Sequence, residues 1–200
     1  MGYTAIVDYG AGNLMSVTNA LSFLGYESRI ANDIEEIERA DRIILPGVGA
    51  FPTAMEQLEA KGFIPVLREQ SEKKPLLGIC LGMQMLFDKS FEIRECPGLG
   101  LIPGVVRRIE TDLKLPHIGW NSLDMHGPCP ILSGLSQGDH VYFVHSFCAV
   151  PQNGAHLAAT ADYGEPVAAV VMRGNVFGCQ FHPEKSGDTG LRILENFCKI

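Results

Sequence analysis

The sequence predicts an α/β fold: a three-layer open, mainly parallel sheet with helices on both faces and antiparallel strands added in the C-terminal half. Three observations point there. Roughly the first ninety residues alternate short apolar runs with amphipathic stretches, the pattern of right-handed strand–helix crossovers and of a sheet covered on both faces. The second half changes to short β-like runs with Gly and Pro between them. Where the halves meet, an apolar run passes into Gly78-Ile79-Cys80-Leu81-Gly82, which reads as a tight strand-to-helix turn.

Taken in order, residues 4–7 (TAIV) are a strand that ends in Asp8-Tyr9-Gly10. Residues 13–24 carry Leu14, Val17, Leu21 and Leu24 at helical spacing, and Gly25 stops the helix. Residues 26–31 form a second strand, and residues 42–45 (RIIL) a third, broken by Pro46-Gly47-Val48-Gly49. Residues 51–58 and 64–70 are helical, 75–79 (PLLGI) form a buried strand, and 81–87 form a helix. Beyond these, residues 105–109, 118–123, 141–147, 155–161, 167–172 and 176–180 are β-like. The last two make a hairpin around Arg173-Gly174-Asn175, and residues 191–197 close the chain as a helix. With no internal repeat, linker or low-complexity segment, residues 1–200 are expected to form a single domain.

Composition excludes several classes of function. Hydrophobic residues make up 46% and charged residues 20%, the profile of a soluble globule. No apolar run approaches the ~18–20 residues of a membrane span, and no signal-peptide pattern opens the chain, so a cytoplasmic location is expected. The balance of 16 Lys+Arg against 23 Asp+Glu argues against a nucleic-acid surface. The 6 cysteines have no CxxC pairing, so neither structural zinc nor disulfides are expected.

Chemistry enters at Cys80. Gly78-Ile79-Cys80-Leu81-Gly82 is a G-x-nucleophile-x-G elbow with cysteine in the place of serine. Such a turn lifts the thiol to the C-terminal edge of the sheet, where open α/β folds bind ligands. It also sets Cys80 at a helix N-terminus, which favours thiolate, and makes the Leu81 N–H an oxyanion donor. A buried cysteine between two packing glycines has the same pattern, so the motif needs company. Phe181-His182-Pro183-Glu184 supplies it. A thiolate that transfers acyl groups needs a proton shuttle and a group to orient it. In an extended segment residues two apart face the same side, which brings Glu184 to the His182 ring. Gly47, Val48 and Gly49 follow the third strand and emerge at the same edge, as a second oxyanion donor or as a plain strand-to-helix turn. His117 and His145 lie beside strands, and His126, His140 and His156 fall in loop-like segments.

GICLGMQ and FHPE, in that order, resemble the triad-type glutamine amidotransferases. DYGAGN at residues 8–13, LPGVGAF at 45–51, PHIGWN at 116–121, YFVHSF at 142–147 and FHPEKSG ending at Gly187 are similar to the glutaminase subunits of imidazole glycerol phosphate synthases. The resemblance spans nearly the whole chain. It implies Cys80 as nucleophile, His182 as base and Glu184 as its partner, with Gly47, Val48 and Gly49 as an oxyanion strand. Gln84 and Glu92 would hold the amino end of L-glutamine, and the backbone at His145, Ser146 and Phe147 its carboxylate. Asn13, Trp120 and Lys185 would face a (β/α)₈-barrel cyclase subunit that consumes the ammonia in histidine biosynthesis. Helix capping for Asn13, core packing for Trp120 and plain solvation for Lys185 are the competing readings. No metal or organic cofactor is implied. Two rivals are a glutaminase of another pathway, against which PHIGWN and DYGAGN argue, and a non-glutaminase relative using its elbow cysteine as a sensor.

Overall fold

Strands buried on both faces and helices with one apolar face organise the first half of the chain. The computed structural model describes residues 2–200. It begins β1 (Thr4–Val7), α1 (Leu14–Phe23), β2 (Ser28–Ala31), α2 (Ile34–Arg39), β3 (Arg42–Gly47), α3 (Phe51–Ala60), α4 (Phe63–Ser71), β4 (Leu76–Cys80) and α5 (Leu81–Met85). The continuous apolar runs of β1, β3 and β4 are buried almost throughout, as strands sandwiched between helices must be. The Asp33 side chain caps α2 by accepting from the Glu36 N–H at 2.9 Å, satisfying a donor that a bare helix end would orphan.

The second half runs β5 (Phe87–Ser90), β6 (Cys96–Pro97), β7 (Ile102–Arg108), β8 (His117–Ser122), β9 (Asp124–Met125), β10 (His140–His145), β11 (Phe147–Pro151), β12 (Leu157–Asp162), β13 (Pro166–Arg173), β14 (Val176–Cys179) and α6 (Gly187–Cys198). An eight-stranded sheet has the order β2-β1-β3-β4-β14-β13-β12-β9. Its first five strands are parallel and its last three antiparallel. One core packs α2, α3 and α4 on one side of this sheet, and the other packs α1 and α6 on the opposite side.

The expected architecture is present, with four changes. Residues 105–109 do not join the main sheet: β7 belongs to a separate four-stranded sheet, β11-β7-β5-β6. Residues 118–123 and 141–147 also stay outside it, β8 pairing only with β10. The reason shows in the alternating burial of β7 and β10: strands with one wet face suit small covering sheets, not a doubly covered centre. Residues 141–147 are moreover two strands, broken at Ser146. Finally, the helix expected over 81–87 ends at Met85, because Phe87 begins a strand paired with β7.

Candidate active site

Glycines let α5 sit directly on the strands beneath it. A Cβ on Gly78 would lie 2.6 Å from the Gly82 carbonyl oxygen, and one on Gly82 would collide with the Leu45 carbonyl. Between them Cys80 takes φ 55°, a left-handed conformation that a side chain adopts only under constraint. The elbow therefore holds Cys80 at the end of β4, where its sulfur lies 3.9 Å from the Val144 carbonyl oxygen and 3.8 Å from Gln180 Nε2. α5 has only 5 residues, so the helix-terminus effect on Cys80 is that of little more than one turn.

β14 lies parallel to β4 and delivers His182 to the same edge. Its N–H donates to the Tyr142 carbonyl at 3.0 Å, and its carbonyl accepts the Ser186 hydroxyl at 2.6 Å, so its backbone is held on two sides. His182 Nδ1 is 2.9 Å from Glu184 Oε1. The expected extended path between the two is replaced by a 3₁₀ turn over Pro183–Lys185. Proline, lacking an N–H, begins such a turn at no cost, and the tighter turn still brings the carboxylate to the ring. Burial works against a charged His182, but contacts with Cys80 and Glu184 outweigh it and raise its pKa to about 9. The ring is thus tuned to carry a proton beside the sulfur.

A cavity of about 340 Å³ opens here, lined by Cys80, Leu81 and His182 together with Val48, Gly49, Gln84, Glu92 and residues 144–147. Of the twelve sequence positions singled out for chemistry, all but Gly47 and Glu184 line the cavity. Gly47 has no room for a side chain, its Cβ position being 2.7 Å from Gly82 N. Gln84 donates to the Phe147 carbonyl and to Gln180 Oε1, both at 3.0 Å, and Glu92 Oε2 accepts the Phe51 N–H at 2.8 Å. Asn13, Trp120 and Lys185 lie outside the cavity. Asn13 makes no side-chain cap to α1, Trp120 is 56% exposed rather than a core residue, and Lys185 is exposed.

Three further residues were not singled out as chemical from the sequence. Gln180, fully buried, bridges Gln84 and Cys80; its only signal was a place two residues before His182 on a strand. Tyr9 donates its hydroxyl to the Pro46 carbonyl at 3.0 Å, tying the DYGAGN segment to the Gly47–Gly49 turn. His117 bonds His145 at 3.0 Å. Burial drives both of these imidazoles down to a pKa of about 4, so they are neutral where His182 is charged.

The family model for class-I glutamine amidotransferases matches residues 5–200. A Bacillus thuringiensis (strain Al Hakam) protein, imidazole glycerol phosphate synthase subunit HisH, is 50% identical over 194 residues, covering 96% of this chain and 92% of the relative. The Bacillus cereus (strain G9842) protein of the same name is 51% identical over the same shares. Among solved structures, a glutamine amidotransferase superposes with TM-score 0.77 at 23% identity, covering 98% of this chain and 100% of its own. PurLQS from Thermotoga maritima superposes with TM-score 0.74 at 20% identity, covering 100% and 99%. These structures share the fold. Match and identity together place the chain: it belongs to the class-I glutamine amidotransferases, in the family of the imidazole glycerol phosphate synthase HisH subunits.

Proposed function

We propose that Cys80, His182 and Glu184 carry out glutamine hydrolysis in this chain, which is the glutaminase subunit of an imidazole glycerol phosphate synthase in histidine biosynthesis. The observation that supports these residue roles is the buried imidazole of His182, bonded to Glu184 at 2.9 Å and raised to about 9 by Cys80 and Glu184 within one cavity.

The Cys80 thiolate attacks the carboxamide carbon of L-glutamine. The resulting oxyanion is held by the N–H of Leu81 and by the turn at Gly47, Val48 and Gly49. As the C–N bond breaks, His182 gives its proton to the departing nitrogen and ammonia leaves, with a glutamyl thioester remaining on Cys80. His182 then takes a proton from water as it attacks the thioester, and glutamate is released. Glu184 stabilises the imidazolium and orients the ring throughout. Gln84 and Glu92 hold the amino end of the substrate, and the backbone at His145, Ser146 and Phe147 its carboxylate.

Ammonia passes to a cyclase subunit, a (β/α)₈ barrel that makes imidazole glycerol phosphate, docked against Asn13, Trp120 and Lys185 in a heterodimer. In the resting subunit the turn at Gly47–Gly49 is out of position, and the partner's ligand turns it into place. Cys80→Ala should abolish glutamine hydrolysis while the copurified heterodimer remains intact. Retained hydrolysis would sink the residue assignment, and no association with a barrel subunit would sink the partner.

A further inference from the structure

A line of hydrogen bonds leads away from the cavity wall through two buried histidines, and its chemistry permits one proton arrangement. At its outer end the Asn121 side chain is oriented by two bonds: Oδ1 accepts the Ser122 N–H at 2.8 Å, and Nδ2 donates to the Asp162 carbonyl at 2.8 Å. The second Nδ2 hydrogen points at His117 Nε2, 3.3 Å away. An amide nitrogen only donates, so His117 Nε2 accepts and its proton sits on Nδ1. That N–H donates to His145 Nε2 at 3.0 Å, which places the His145 proton on Nδ1, 2.9 Å from the Phe147 carbonyl oxygen. A carbonyl only accepts, so the inner end of the line demands the same arrangement as the outer end.

The rings have little freedom to do otherwise. His117 and His145 are 3% and 6% exposed, and His117 is stacked on Tyr163 and Phe143 at centroid distances of 3.9 and 4.7 Å. A second proton on either ring would set two hydrogens against each other within the line. At the cavity the Phe147 carbonyl also receives Gln84 Nε2, and the Ser146 carbonyl receives the Ile109 N–H at 3.0 Å. The peptide planes on either side of Phe147 are therefore both held, one by Ile109 through the Ser146 carbonyl and the other by His145 and Gln84 through the Phe147 carbonyl, and Ser146 and Phe147 line the cavity together with Cys80.

We propose that His117 and His145 are positioning residues for glutamine binding, acting through their side chains: two neutral imidazoles, each protonated on Nδ1, hold the Ser146–Phe147 backbone in the orientation the substrate pocket needs. This rests on the cavity being the glutamine site. It assigns the side chains a task separate from any contact that the backbone at His145 makes with substrate.

Two measurements test it. Long-range ¹H–¹⁵N correlation spectra of the imidazoles in the intact chain at neutral pH should show both rings neutral and protonated on Nδ1; an Nε2–H or doubly protonated ring at either position overturns the proposal. In the assembled synthase, His145→Leu should raise KM for glutamine about tenfold, the size of one lost buried hydrogen bond, with kcat changed by less than about threefold. His145→Asn keeps a donor where Nδ1 stood and should recover most of that loss. Unchanged KM in His145→Leu, a loss confined to kcat, or an Asn variant no better than Leu would each overturn it. The spectra need no variant and so decide the matter even if His145→Leu does not fold. Failure of the glutamine-site reading would look different, as continued hydrolysis by Cys80→Ala.

Discussion

Gly47 at the end of β3 and Cys80 at the end of β4 are register partners in neighbouring parallel strands. The proposed oxyanion turn and the proposed nucleophile therefore reach the sheet edge at the same level, with Gly82 packed against Gly47.

That packing makes Gly47 intolerant of a side chain. In Gly47→Ala the new methyl would stand 2.7 Å from Gly82 N and 2.9 Å from both Leu81 Cβ and the Tyr9 hydroxyl. Backbone must move, at a cost of about 1–3 kcal/mol. Urea unfolding should show that loss, and glutamine hydrolysis by the assembled synthase should fall with it. Full activity with unchanged stability would mean that α5 is not seated on β3 as described.

Thiol chemistry should single out Cys80. Burial pushes the thiols of Cys96, Cys129, Cys148, Cys179 and Cys198 upward, and none of these lines the cavity. Alkylation of the native chain near neutral pH, read by peptide mass mapping, should therefore modify Cys80 first. Added glutamine should slow that reaction. A cysteine that serves as a sensor would gain no such protection.

Glu184 should reveal itself through the pH profile. Its contact with Nδ1 helps to raise the His182 pKa, so Glu184→Gln should move the alkaline limb of kcat to lower pH. The rate should also drop by about a hundredfold or more, since the imidazolium loses its counter-charge and orientation. An unshifted limb would remove Glu184 from the mechanism.

Stability should fall on both sides of neutrality, for opposite reasons. His182 is raised from 6.5 to about 9, so the folded chain holds its proton more tightly; that contribution is complete below 6.5 and is lost as pH rises through 9. His117 and His145 are lowered from 6.5 to about 4, so their contribution is present above 6.5 and is lost as pH falls through 4. Urea midpoints measured from pH 4 to 9 should trace both limbs. His145→Leu should flatten the acid limb and leave the alkaline one in place; a variant that steepens neither and flattens neither would detach these histidines from the acid response.

Much of this protein was legible in local pattern. Strand–helix alternation predicted the parallel half, because periodicity reports burial directly. Cys80 stood out because a glycine on each side of a strand-end cysteine signals a turn too tight for side chains, and His182 because an acid and a proline accompany it. Local pattern thus set most of the elements and the reactive residue types. Long-range packing set how β7, β8 and β10 group into small covering sheets, since a one-sided strand has the same alternation in any sheet. It also decided that Gln180 reaches Cys80, 100 positions away, and that His117 meets His145, 28 positions away, across the β8–β10 pair. Contacts between side chains so far apart in the chain exist only when the sheets pack, and no spacing in the sequence encodes them.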